Sequence, residues 1–224
     1  MSRKTPINFT PWDSLVLGTP ARELTEYTQD ALRYATQTAG HYTLKVDPLA
    51  DKRLLHEYGF YYCDTLVEPH CDAIRLRPVT HPDATVSTIV DVERVLAICH
   101  GAFVHGRFHR DFNVTREAAD LRYDNWLKQL LTDRQVYGLY WQGILAGFIG
   151  CSGNRLVLHA LAEEHRNKGR SRYWWSMVCG ELLKSGHQEV RSSISAANLA
   201  AVNLYASLGF SFSNPLDVYH RLTA

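Results

Sequence analysis

Leu156-Val-Leu-His-Ala-Leu-Ala162 leads through Glu163 and Glu164 into His165-Arg-Asn-Lys-Gly-Arg-Ser171, a helical pattern from Tyr173 to Lys184, and Glu189-Val-Arg-Ser-Ser-Ile-Ser195. It closes on Asn198-Leu-Ala-Ala-Val-Asn-Leu-Tyr205-Ala-Ser-Leu-Gly209-Phe210. The spacing reads as strand, basic loop, helix, strand, and a second helix stopped by glycine. Gly169 lets the loop turn with no side chain in front of an approaching ligand. The N–H groups of 167–171 can form an anion nest at a helix start, where the dipole favours a phosphate. Arg166, Lys168, Arg170 and Arg172 add positive charge there. The spacing is neither a Walker A loop nor a dinucleotide fingerprint. From these residues alone, the loop is a phosphate cradle or a solvated basic turn opening a surface helix.

Asn198 and Tyr205 stand seven residues apart, two turns along one helix face. Asn198 suits a helix N-cap or a hydrogen bond to an amide of a bound chain. A phenol of ordinary pKa about 10 can protonate a departing thiolate of about 8.5 without a large shift. The alternative for Tyr205 is a core aromatic with an exposed hydroxyl. His159 is a candidate general base if strand alternation points its ring into a cleft. Glu163 could act through a water.

Working outward, Pro78-Val-Thr-His-Pro-Asp83 reads as a connector. Asp91 is placed to cap one helix. Thr115-Arg-Glu-Ala opens another, with Ala118, Ala119, Tyr123, Trp126, Leu127 and Leu130 at helical spacing. Gln135–Trp141 and Ile144–Cys151 form a hairpin across Gln142-Gly143, and Cys151-Ser-Gly-Asn154 makes a second turn. From 84 to 224 the order is strand, two helices, three meandering strands, helix, strand, helix, strand. That order is an α/β (α+β) domain with a mostly antiparallel sheet.

Upstream, Leu54-Leu55-His-Glu-Tyr-Gly59-Phe60 precedes Leu204-Tyr205-Ala-Ser-Leu-Gly209-Phe210 by 150 residues. At that offset Leu55 faces Tyr205 and Pro48 faces Asn198. Residues 1–80 then read as a degenerate half-copy that keeps the packing residues and loses the polar pair. The alternative is chance recurrence of a common helix-Gly-Phe-strand unit.

The chain has 224 residues and a net charge of +1, which gives no global case for nucleic acid or an anionic membrane. No stretch approaches the roughly 20 apolar residues that span a bilayer, and Met1-Ser-Arg-Lys-Thr-Pro lacks the apolar run of a secretory signal. Cys63, Cys71, Cys99, Cys151 and Cys179 are scattered and odd in number, which argues for reduced thiols and a cytoplasmic setting. No metal site is expected.

Joined together, Leu161-Ala162, Arg166-x-x-Gly169-x-Ser171, Asn198 and Ala201-x-x-Leu204-Tyr205-x-x-x-Gly209-Phe210 resemble the GNAT superfamily of acyl-CoA-dependent N-acyltransferases. The resemblance covers 84–224 and implies the GNAT fold: a mixed, mostly antiparallel sheet in which two strands splay into a V. It implies acetyl-CoA as cosubstrate, with pantetheine paired along Leu161-Ala162. The pyrophosphate would sit on Arg166, Asn167, Lys168, Gly169, Arg170 and Ser171, with Asn198 nearby and Tyr205 protonating the thiolate. Ser171 departs from the usual Gly or Ala.

A narrower resemblance rests on Ala102-Phe-Val-His-Gly-Arg107-Phe108-His109-Arg110-Asp111, Tyr123-x-x-Trp126, Thr10-Pro-Trp-Asp13 and the N-terminal half-copy. These look like the dTDP-fucosamine acetyltransferases and related bacterial sugar-nucleotide N-acetyltransferases. The resemblance implies acetylation of a nucleotide-linked amino deoxysugar for surface polysaccharide. Arg107, Phe108, His109, Arg110 and His159 would lie toward the acceptor. Arg107 and Arg110 could meet a diphosphate, and Phe108 could stack on a base or sugar face. The other reading of 107–110 is a basic surface loop with one core Phe. The resemblance leaves room for a homodimer. The competing readings are acetylation of another amine, such as a polyamine or peptide amine, and a non-catalytic CoA-binding module.

Overall fold

The computed structural model describes residues 7–224, so Met1 to Pro6 of the charged opening lie outside the described residues. Six elements open the chain: β1 (Ile7–Phe9), α1 (Pro11–Leu17), β2 (Ala21–Leu24), α2 (Gln29–Gln37), β3 (Gly40–Val46) and α3 (Arg53–Glu57). Then come β4 (Tyr61–Asp72), β5 (Ala84–Ser87), α4 (Val92–Cys99), α5 (Arg116–Thr132), β6 (Val136–Trp141), β7 (Ile144–Ser152) and β8 (Arg155–Leu161). A 3-10 turn at Glu163–His165 leads to α6 (Ser171–Lys184), β9 (Glu189–Ser192), β10 (Ile194–Ser195), α7 (Leu199–Ser207) and β11 (Ser211–Thr223).

The chain divides into two units. One comprises Met1–Leu66, His105–Arg122 and Pro215–Ala224; the other comprises Val67–Val104 and Tyr123–Asn214. The sequence places a boundary between 80 and 84. The N-terminal unit instead ends earlier and recruits two distant segments. Long-range bonds make the difference. β11 pairs antiparallel with β3 from Asp217↔Val46 to Thr223↔Gly40, and Asp111 is hydrogen-bonded to His41 and His220.

In the first unit the strand order is β1-β2-β3-β11. Thr28 caps α2 by accepting from the Ala31 N–H at 3.3 Å. Ala31, Leu32 and Ala35 on that helix pack with Tyr42 and Leu44 of β3, Leu55 of α3, Phe60 and Tyr219. In the second unit the order is β4-β9-β8-β7-β6-β5. The pairs β2–β3 and β8–β9 are parallel, whereas β5–β6–β7–β8 and β4–β9 are antiparallel. This is the mixed GNAT sheet. Asp91 caps α4 through the Arg94 N–H, and Thr115 accepts from the Ala118 N–H at 3.2 Å at the start of α5. Gln142 (φ 51°) and Gly143 (φ 78°) make the hairpin turn, both left-handed as a type I′ turn requires.

Two apolar clusters build the second unit. Trp174, Val178 and Cys179 of α6 and Tyr205 of α7 pack with Leu139, Ile149 and Val190. Val95 and Cys99 of α4 and Leu127 and Leu130 of α5 pack with Val136, Phe148 and Leu158. Residues 189–195, expected as one strand, split into β9 and β10 with Ser193 between them. All five cysteines are buried free thiols, and no helix among the described residues is long and apolar enough to cross a membrane.

Candidate active site

β8 and β9 pair only at Arg155↔Arg191 and Leu156↔Ser192, and β8 then runs on to Leu161. Among the described residues, the β8–β9 ladder therefore opens after two pairs. On its other edge β8 stays paired with β7 through Leu161↔Gly147. The Ala162 N–H donates to Ala146 O at 2.9 Å, which turns the main-chain groups of even-numbered residues toward β7. By strand alternation, those of His159 and Leu161 face the open side. The Leu161 carbonyl accepts from Arg166 Nε at 2.9 Å. Of the two residues assigned to pantetheine pairing, Ala162 thus has its N–H taken up by β7 and Leu161 has its carbonyl bonded to Arg166. The Leu161 N–H and the main-chain groups of His159 are the ones alternation leaves on the open side.

The basic loop takes the shape expected of an anion nest. Asn167 (φ 57°) and Gly169 (φ 65°) are both left-handed, and a Cβ built on Gly169 would stand in open space. α6 starts at Ser171 behind Arg170, and no side chain caps it. A 14-residue helix thus presents its first N–H groups without a side-chain acceptor. Arg170 lies over the Trp141 ring at 4.0 Å, and Arg172 donates to the Tyr173 hydroxyl at 3.0 Å. Arg166, Asn167, Lys168 and Arg172 are exposed.

Asn198 is the N-cap of α7, its Oδ1 accepting from the Ala201 N–H at 3.1 Å. On the same helix Tyr205 is 0% exposed. Its hydroxyl is hydrogen-bonded to His159 Nε2 at 3.3 Å, and its ring meets Phe210 edge-on at 4.9 Å. His159 is half-buried and packs edge-on against Trp175 of α6, with ring centroids 5.0 Å apart. Burial lowers the His159 imidazole to about 4, which leaves it neutral at physiological pH. Burial pushes the Tyr205 phenol well above its usual value.

The first unit has a parallel strand pair and a helix start of its own, and neither is open. β2 pairs with β3 along its whole length, from Ala21↔His41 to Leu24↔Leu44, and Thr28 occupies the cap of α2. Its strands do not part, and its helix start is already capped.

The segment 107–111 belongs to the first unit. Phe108 is 2% exposed, with the Arg107 and Arg122 guanidinium carbons 4.9 and 4.6 Å from its ring centre. In this structure it is a packing residue, and its faces are covered against the stacking role expected from the sequence. His109 Nε2 bonds to Asp120 at 2.9 Å, and Arg110 reaches Asp64 at 3.0 Å.

Sequence reasoning missed the hub of this segment. Asp111 Oδ2 accepts from His41 Nε2 at 2.8 Å and His220 Nδ1 at 2.7 Å. Its Oδ1 accepts from the Tyr61 hydroxyl and the Asn113 N–H, both at 2.9 Å. Burial alone would raise this carboxyl, but the hydrogen bonds from His220 and His41 outweigh it and hold the group well below the carboxylate range. Burial also lowers His220 to about 4 against the pull of Asp111. The three side chains have donor types that suit a divalent cation. His41 Nε2 and His220 Nδ1 are both engaged by Asp111 Oδ2, whereas His220 Nε2 is buried with no hydrogen-bond partner among the described residues. Its members lie 70 and 109 positions apart, and no local pattern announces them.

A parted parallel strand pair beside an uncapped, basic helix start, on a mixed sheet of this order, is the architecture of the GNAT fold. The family model of the acetyltransferase (GNAT) domain matches residues 114–221. Solved structures agree on the fold. A GCN5-related N-acetyltransferase from Sphaerobacter thermophilus superposes with a TM-score of 0.66 at 12% identity, covering 96% of this chain and 76% of that one. A tandem GNAT protein from the clavulanic acid biosynthesis pathway gives 0.58 at 14% identity, covering 92% and 76%. A GNAT-family acetyltransferase from Novosphingobium aromaticivorans gives 0.55 at 15%, covering 100% and 91%. No curated protein matches the sequence.

Proposed function

We propose that the chain transfers acetyl from acetyl-CoA to the amino group of a nucleotide-linked amino deoxysugar, a dTDP-sugar first among these. The observation that carries the acetyl-CoA half is the opening of β8 from β9 beside the uncapped start of α6. An extended pantetheine arm can add to the free edge of β8 as a strand would. The pyrophosphate meets the N–H groups of 167–171 and the charges of Arg166, Lys168 and Arg172. The leaving thiolate requires a proton, and the hydrogen-bonded Tyr205–His159 pair supplies it, with Tyr205 on the helix that Asn198 caps.

The acceptor half rests on charge. Arg107, Arg110 and Arg116 stand against Asp111 in 107–116, and Asp111 is enclosed by hydrogen-bond donors. Such a segment suits an anionic acceptor better than a polyamine. Five buried free thiols fit a cytoplasmic enzyme working on precursors of surface polysaccharide.

The test is thiol release from acetyl-CoA across dTDP- and UDP-linked amino sugars, with spermidine and a peptide amine as controls. Turnover on a sugar nucleotide is expected. Turnover on the controls alone rejects the acceptor assignment.

A further inference from the structure

Two imidazoles and a carboxylate converge in the first unit: His41 of β3, His220 of β11 and Asp111 of the segment between α4 and α5. In the β3–β11 ladder His41 stands opposite Leu222 and His220 opposite Thr43. Positions 220 and 222 share a face, so the pairing puts both histidines on the same side of the sheet. All three side chains are buried, and their ligand atoms lie within 4.8 Å of one another. Hydrogen bonds within the group do not use up its capacity. Asp111 Oδ2 meets His220 Nδ1 at 2.7 Å and His41 Nε2 at 2.8 Å, while His220 Nε2 is buried with no partner among the described residues. A neutral imidazole carries its one proton on either nitrogen, so the His220 ring has a lone pair that nothing in the hub employs.

We infer that His41, Asp111 and His220 form a binding site for one divalent ion of the zinc type, which clips together the segments that carry them. The inference is independent of the acetyl-transfer reading above. The ion takes an oxygen of Asp111 and one nitrogen from each ring. Each ring coordinates in its neutral form and keeps its proton on the nitrogen turned away from the ion. Bonds of about 2.0–2.2 Å set the donors of a tetrahedral ion roughly 3.3 Å apart. The rings therefore move from Asp111 by about half an ångström, and no strand has to shift.

The surroundings fit an oriented ligand set. Asp111 Oδ1 accepts from the Tyr61 hydroxyl and the Asn113 N–H, both at 2.9 Å, and Asn113 Nδ2 donates to the Tyr61 oxygen at 2.8 Å. The carboxylate is thus held by its second oxygen, as metal-bound carboxylates are. Phe108 packs against both rings, at 6.0 Å from His41 and 5.3 Å from His220, which keeps the corner apolar. Arg107 places positive charge near His220. That opposes an ion held by charge alone and leaves one bound through imidazole lone pairs, so zinc is favoured over magnesium or calcium. The ligands meet only when β3, β11 and the segment around Asp111 have come together, so the ion enters with folding and adds to stability.

The experiment uses the full chain, produced in medium with added zinc and dialysed natively. Bound metal is counted by plasma emission, and zinc affinity is measured against a chromophoric chelator. Thermal midpoints are compared in Zn2+, Mg2+ and chelator. The wild type should hold one zinc per chain, and its midpoint should rise in Zn2+ and not in Mg2+. Co2+ in place of zinc should give the visible bands of a low-coordinate nitrogen and oxygen site.

His41→Gln and His220→Gln should each weaken zinc by at least about 100-fold, and Tyr61→Phe, which leaves all three ligands in place, by about 10-fold. His56→Gln, at an exposed position, should change nothing. The wild-type count and the Co2+ spectrum stand even where a hub variant fails to fold. A wild type that carries no zinc and has the same midpoint in Zn2+ and chelator overturns the inference. So does wild-type zinc affinity in folded His41→Gln and His220→Gln proteins, which would place the ion elsewhere.

Discussion

Leu55 and Tyr205 accept the same kind of hydrogen bond at two helix endings of like pattern. The Phe60 N–H donates to Leu55 O at 2.8 Å, and the Phe210 N–H donates to Tyr205 O at 3.1 Å. One residue earlier, Gly59 donates to His56 O at 3.0 Å and Gly209 to Ala206 O at 3.1 Å. Both glycines are left-handed, at φ 67° and 94°, closing the helix so that an aromatic can open the next strand. Both Leu55 and Tyr205 are 0% exposed. Such an ending needs an apolar body at this position, and a leucine satisfies it after α3. The hydroxyl of Tyr205 is an addition to what the fold requires.

Tyr205→Phe should accordingly leave the protein folded. It removes a hydroxyl that bonds His159 at 3.3 Å and also interacts with Ser192 and Trp175, a loss of about 1–3 kcal/mol in stability. Thermal unfolding should show a small decrease, while turnover falls about 10-fold. Collapse of the fold would show that the phenol is structural. Unchanged turnover would remove it from the proton path.

Gly169→Val separates the cofactor loop from the scaffold. The native φ is 65°, a region that a β-branched residue enters only with strain of about 1–3 kcal/mol. A Cβ there meets no atom within 4 Å, so the protein loses stability through strain and not through collision. The side chain would instead fill the space the pyrophosphate needs. Calorimetry should find acetyl-CoA binding weakened by at least about 10-fold, on the order of 1.4 kcal/mol. Wild-type affinity in a folded variant would mean that the phosphates lie elsewhere.

Acid should weaken the protein in a defined window. His220 has an ordinary pKa of 6.5 when unfolded and one of about 4 when folded. The unfolded chain therefore binds more protons between those values, and stability falls as pH drops through them. His159 acts in the same direction over the same range. Asp111 extends the trend below it. Its folded carboxyl is depressed, so its contribution is present above the unfolded value of about 3.9 and disappears as pH falls through the folded one. Thermal midpoints should decline from pH 6.5 to pH 4, and Asp111→Asn should lose about 3 kcal/mol at pH 7 by breaking the buried hub. A flat midpoint from pH 7 to pH 4 would rule this account out.

Legibility in the sequence followed sequence distance. Asp91, Thr115, Gln142-Gly143 and Asn198 announce caps and a turn because each acts within four residues of itself, and the structure places each where its chemistry demands. The echo of 54–60 in 204–210 was legible for the same reason. The Asp111 hub was not, since His41 and His220 meet it only after β3 and β11 have paired. That hub also explains why the unit boundary and Phe108 read differently from the sequence. The basic pattern of 107–110 says nothing of the histidines that draw the segment inward. Access is similarly invisible. A strand of alternating residues gives His159 two faces to choose from, and only the packing of Trp175 and Tyr205 selects one.

Asn198→Asp tests whether that asparagine does more than cap α7. An aspartate retains an acceptor for the Ala201 N–H, now 3.1 Å from Oδ1, and interacts favourably with the helix start. Helix stability should therefore be kept or slightly raised, whereas Asn198→Ala should lose about 1 kcal/mol. Only the amide NH2 is removed by the aspartate, and with it any donor to a bound pantetheine amide. A stable Asn198→Asp protein with weakened acetyl-CoA binding assigns that donor to the cofactor. If binding is unchanged in Asn198→Asp and falls in Asn198→Ala only in step with stability, the asparagine serves the helix alone.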